Sequence, residues 1–75
     1  MSNLKLFLPD VVRPKPSDIY YYKGKPYQVN SVMEKNLIQF EDEWQPTVRY
    51  TQYPQTDLVF YRALTDFNSK FSESY

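Results

Sequence analysis

The sequence predicts a small, mainly all-β domain: an antiparallel barrel or curled sheet with one short C-terminal helical turn. Three observations carry the prediction. Short apolar segments with period-two alternation recur along the chain, separated by turn residues. Aromatic residues make up 19% of the 75 residues, bulk enough for a few buried rings to hold a small barrel together. The chain has no Cys and no His, so disulfides, zinc-finger chemistry and thiolate nucleophiles are excluded together.

The first strand pair is read from "DIYYYKGKPYQV", residues 18 to 29. Ile19 to Tyr22 is β-branched and aromatic, and alternation resumes after Pro26. Gly24 is the only glycine, and a tight hairpin needs positive φ at its turn. The glycine is therefore expected to fold the tyrosine strand back on "YQV". Period two puts Tyr20 and Tyr22 on one face and Tyr21 on the other. It also puts Tyr27, Val29 and Ser31 opposite Gln28, Asn30 and Val32.

Leu37, Ile38 and Phe40 predict another strand, and Glu41, Asp42 and Glu43 a charged loop. In "TVRYTQY", Val48 and Tyr50 share a face and Arg49 points away. "YPQTD" is a turn punctuated by Pro54 and Asp57, and "LVFYRAL" is the most β-prone stretch of the chain. Thr65 or Asp66 can cap a final helical turn, on which Phe67 and Phe71 lie on one side.

The N-terminal arm alternates at Leu4, Leu6 and Leu8, and Pro14 and Pro16 make residues 11–17 an extended connector. The division is residues 1–17 as arm and connector, 18–72 as the barrel, and 73–75 as a polar tail. The arm from Leu4 to Leu8 lies on its own domain, or adds a strand to a partner or to a second copy.

"YYKGKPYQV", then an acidic stretch before "PTVRY", then "LVFYRALTDFNSKF", resembles a small bacterial and phage family, the domain-of-unknown-function family numbered 1653. Tyr22, Lys23, Gly24, Tyr27 and Val29 match its first part. Glu43, Pro46, Val48 and Tyr50 match its middle, and Arg62, Leu64, Phe67 and Phe71 its end. The resemblance covers about residues 18 to 72. Tyr21 stands where the family often has His, and Ala63 where it usually has Pro. The resemblance implies an SH3-like β-barrel and no established activity.

Function is narrowed mainly by exclusion. Nine basic and nine acidic residues leave a formal net charge of zero, without the footprint of a strong nucleic-acid binder. No apolar run is long enough to span a bilayer, and the N-terminus makes a poor signal peptide, so no membrane association and a cytoplasmic location are expected. Glu41, Asp42 and Glu43 are contiguous, so neighbouring side chains diverge in extended backbone and make a poor catalytic pair. The chain reads as a non-enzyme with no cofactor and no metal. What remains is aromatic surface. Tyr21, Trp44, Tyr50 and Tyr61, with Arg62 as polar anchor, are the candidate binding residues for another protein. Against this, tyrosines of so small a domain can line its core, Trp44 can cover a barrel end, and Arg62 can pair internally with Asp57 or Asp66. A phage or bacterial accessory role fits the same reading. The alternative is a nucleic-acid or nucleotide binder, with Tyr21 and Tyr61 stacking on bases and Lys23, Lys25 and Arg62 contacting phosphate.

Overall fold

The computed structural model describes Leu8 and residues 10–74. The expected contribution of the arm falls on Leu4, Leu6 and their neighbours, which lie outside the described residues. Strands β1 (Ile19–Tyr22), β2 (Lys25–Phe40), β3 (Glu43–Gln52) and β4 (Val59–Ala63) are followed by helix α1 (Leu64–Lys70). They form one antiparallel sheet in the order β1-β2-β3-β4, curled into a half-barrel consistent with a small SH3-like all-β fold.

The hairpin around Gly24 forms as expected, with Tyr22 opposite Lys25 and Tyr20 opposite Tyr27. Both turn residues take positive φ, 54° at Lys23 and 77° at Gly24, which is the two-residue turn whose twist matches that of the strands. The β2–β3 turn repeats the solution with Glu41 and Asp42, at φ 52° and 67°. Glu43 already belongs to β3, so the charged loop is shorter than "EDE".

The stretches expected as two strands before that turn form the single strand β2. Two irregularities bend it. Pairing passes from Val29 opposite Tyr50 to Ser31 opposite Arg49, which leaves Asn30 as an extra residue. A bulge of this kind shifts the alternation by one, so Val32 faces Val48 and packs on the core instead of pointing away. The second shift lies between Met33 and Leu37, where Leu37 pairs with Pro46. Pro46 has no N–H to give the ladder, and the Thr47 hydroxyl bonds the Asn36 carbonyl instead.

The core joins Tyr20, Val29, Val48, Tyr50, Leu64, Phe67 and Phe71. Phe67 and Phe71 stack at 4.0 Å with planes 7° apart. Tyr50 meets both edge-on, at 5.3 and 5.1 Å, the offset geometry that ring quadrupoles favour. Tyr20 and Tyr22 both turn toward these rings, Tyr20 against Phe67 and Tyr22 stacked on Phe71. Residues 11–17 lie along the domain: Val11 packs on the core, Ser17 donates to the Val29 carbonyl at 2.7 Å, and Arg13 pairs with Glu34 at 2.9 Å.

Helix α1 starts one residue earlier than the strand-like run suggested, at Leu64. Neither Thr65 nor Asp66 caps it. The cap residue is Ala63, which has no side-chain acceptor. The acceptor comes from β3, where Gln45 Oε1 takes hydrogen bonds from the Thr65 backbone N–H and from its hydroxyl, each at 2.9 Å.

Candidate binding surface

Strand alternation divides the five predicted contact residues between surfaces, so they do not make one patch. Tyr50 is a correction: it is 4% exposed, at the centre of the aromatic core. Its position opposite Val29 on the concave side of the curl puts the ring against Phe67 and Phe71, out of reach of a macromolecular partner. Its hydroxyl accepts from Arg62 Nε at 3.1 Å, so the structure does bring Tyr50 and Arg62 together.

Arg62 is engaged within the domain. Besides Tyr50, it binds Asp66 at 2.8 Å, one of the two internal partners weighed for it. Its guanidinium stands 5.4 Å from the centre of the Tyr22 ring and 5.5 Å from that of Phe71. It thus reaches from the β4 edge of the half-barrel toward the β1 edge. Burial works against its charge, but the hydrogen bonds to Tyr50 and Asp66 outweigh that and raise its pKa. Asp66 mirrors it. Burial pushes the carboxyl up, yet hydrogen bonds from Arg62 and Lys70 hold it below the ordinary value.

Tyr61 and Trp44 are exposed, on different parts of the sheet. Tyr61 lies opposite Arg49, on the convex face. Its exposure is 55%, and Leu58 and Val59 beside it are exposed at 63% and 37%. Trp44 pairs with Gln39 near the tip of the β2–β3 ribbon, where it is 46% exposed. It follows the parity of Val48 and Tyr50, and so projects from the other side of the ribbon from Gln45. Tyr21, half-buried on β1, lies at the opposite edge of the sheet from Tyr61. Lys23 and Lys25 flank the first hairpin turn, with the Lys23 ammonium 5.3 Å above the Tyr22 ring.

The two sheet edges differ. At β1, Tyr21 exchanges backbone hydrogen bonds with Ser72, at 2.7 and 3.0 Å, so the C-terminal segment covers that edge. Strand β4 pairs with β3 along one side, and among the described residues no strand or bridge pairs with its other side. Leu58 and Val59 were missed as contacts from sequence. They sit in the most strand-like segment of the chain, and only the strand order makes that strand an edge.

Arg49 was also left outside the candidate set. It lines an open recess of about 440 Å³ on the convex face with Ser17, Gln28, Asn30, Thr51 and Thr56. The Asp66 carboxylate is held between two cations, and among the described residues no group of three or more His, Cys, Asp or Glu is placed to hold a metal ion. No helix among them is long and apolar enough to cross a membrane.

Fold and surface define a small all-β domain with one covered sheet edge and one that is unpaired among the described residues. No family model, curated protein or solved structure matches the chain.

Proposed function

We propose that the protein is a non-enzymatic binding module that engages another protein through strand β4. The observation that carries this reading is the exposure of Val59 and Tyr61 on β4, and of Leu58 immediately before it, at an edge strand whose outer side is unpaired among the described residues. An extended segment of a partner would add to β4 by main-chain hydrogen bonds, and its side chains would pack on Tyr61 and Leu58. Single exposed apolar residues are common on any domain. Several in succession on an open edge are a hazard that folded proteins blunt with charge or proline unless the edge is used. Trp44 belongs to a separate contact at the ribbon tip, if the partner extends that far. A cytoplasmic location and a bacterial or phage accessory role, in keeping with the resemblance to family 1653, complete the reading.

The test is affinity capture with the wild-type chain beside Leu58→Ser and Tyr61→Ser variants, followed by reconstitution from purified components. A partner that binds wild type and is lost from both folded variants supports the β4 reading. A reconstituted partner that binds all three chains equally overturns it.

One observation favours the nucleic-acid alternative: Lys23 and Arg62 both stand over the Tyr22 ring. Against it, Arg62 already neutralises Asp66. Binding of an oligonucleotide that weakens steeply with added salt would bring this reading forward, because counterion release sets that slope.

A further inference from the structure

The recess on the convex face is built from polar groups with little internal use. Arg49 lines it from the middle of β3, and among the described residues its side chain has no ion pair, hydrogen bond or ring contact. This sets it apart from Arg62, which is tied to Tyr50 and Asp66. Two residues further along the same strand face, Thr51 is 3% exposed and its hydroxyl is buried with no hydrogen-bond partner among the described residues. Leaving a buried hydroxyl unpaired is unfavourable, so such a group is uncommon unless something bonds it. Asn30, the bulge residue of β2, lines the same recess and can add an amide donor. Gln28 is fixed beside it by donating to the Ser17 carbonyl at 3.2 Å.

We infer that this recess binds a carboxylate, with the Arg49 guanidinium as the charged donor and the hydroxyl of Thr51, a residue of the recess wall, as a second. Among the described residues Arg49 is the only cation lining the recess, and one positive charge matches a singly charged carboxylate better than a phosphate dianion. The planar guanidinium fork also fits the two carboxylate oxygens in parallel. A Thr51 hydroxyl without an internal acceptor gives up no bond when the ligand arrives. The recess shares Val59 with the edge proposed for protein binding, but it stands on its own residues.

The test is a titration of the isotope-labelled wild-type chain with sodium acetate, followed by the Arg49 side-chain N–H and the amides of Asn30 and Thr51 in NMR spectra. Ionic strength is held constant with chloride, and inorganic phosphate is run in parallel. The expected result is a saturable shift with acetate, weakened at least tenfold in Arg49→Gln and Arg49→Lys and measurably in Thr51→Val. Arg49→Lys keeps the charge and guards against misreading a folding defect. Thr51→Val removes the unpaired hydroxyl, so its thermal stability should be equal to or above wild type while binding falls. An acetyl-capped peptide with one glutamate distinguishes sources: tighter binding than acetate assigns the site to a carboxylate carried on a chain, and equal binding to a free one. A non-saturating acetate titration, an unchanged curve in Arg49→Gln, or saturation by phosphate in preference to acetate overturns the assignment.

Discussion

The side chain of Gln45, on β3, caps helix α1 through Thr65, twenty residues away in the chain. Gln45 is 1% exposed, and its one carbonyl oxygen accepts from both the Thr65 N–H and the Thr65 hydroxyl. A helix of seven residues has little intrinsic stability in water, so this link and the aromatic packing beneath it hold the helix in place. Replacing Gln45 by Leu keeps the approximate volume and removes the acceptor. We expect a loss of about 1–2 kcal/mol. For a domain of this size that lowers Tm by roughly 4–8 °C per kcal/mol, read by thermal unfolding. An unchanged Tm would mean that the helix needs no cap from the sheet.

Asp66 makes stability depend on acid pH. Its folded pKa lies below the ordinary value, so its contribution is complete above the unfolded pKa and is lost as pH falls through the folded one. Glu34 is lowered too, chiefly by its hydrogen bond from Arg13, and acts with the same sign from a more exposed position. Urea unfolding of wild type should therefore weaken below about pH 4. Asp66→Asn should be less stable than wild type at neutral pH and should lose much of that acid dependence. Parallel curves for the two proteins from neutral pH down to pH ~2 would remove Asp66 as the cause.

Two turns place residues other than glycine in the left-handed region. Lys23 sits at φ 54°, and Glu41 and Asp42 at 52° and 67°. A Cβ is disfavoured there, and asparagine or glycine relieves the cost. Lys23→Asn should stabilise the first hairpin by about 0.5–1 kcal/mol, and Glu41→Asn with Asp42→Gly the second by a similar amount. Chemical denaturation measures both. A decrease in stability from either change would argue that the lysine or the acidic pair makes a compensating contact.

Phe67 and Trp44 are both large aromatics, and their burial sets opposite expectations. Phe67 is 1% exposed and touches Tyr20, Tyr50 and Phe71, so Phe67→Ala should cost about 3–5 kcal/mol. That is comparable with the whole stability of a domain this small, and the variant should give the circular dichroism of an unfolded chain. Trp44→Ala, at the exposed ribbon tip, should change stability by less than about 1 kcal/mol. A Trp44→Ala variant that unfolds would assign the tryptophan a structural role.

Features carried by local rules could be read directly. Gly24 marked its hairpin, and period two separated Tyr20 and Tyr22 from Tyr21. The spacing of Phe67 and Phe71 anticipated that they lie on one side of the final helical turn. Features that depend on distant contacts could not be read. The bulge at Asn30 moves Val32 to the core, and its position follows from pairing with β3 rather than from the residues around it. The Gln45 cap joins elements with no shared local pattern. The same holds for the surface. Tyr61 was named for its aromaticity, but the exposure of Leu58 and Val59 depends on β4 being last in the sheet, which no single segment encodes. Tyr50 looked like its neighbours in sequence and is core because Phe60, Phe67 and Phe71 surround it.

The bridge between Tyr21 and Ser72 limits how copies of this chain could grow into larger assemblies. A sheet open on both sides can be extended by its own kind without end, which is the geometry of a filament. Here the β1 side is occupied by the chain's own C-terminal segment. Two copies could meet β4 to β4, and the joined sheet would then finish on each side in a strand already bonded to its own Ser72. A further copy could pair with β1 at Tyr21 only by displacing Ser72 from it.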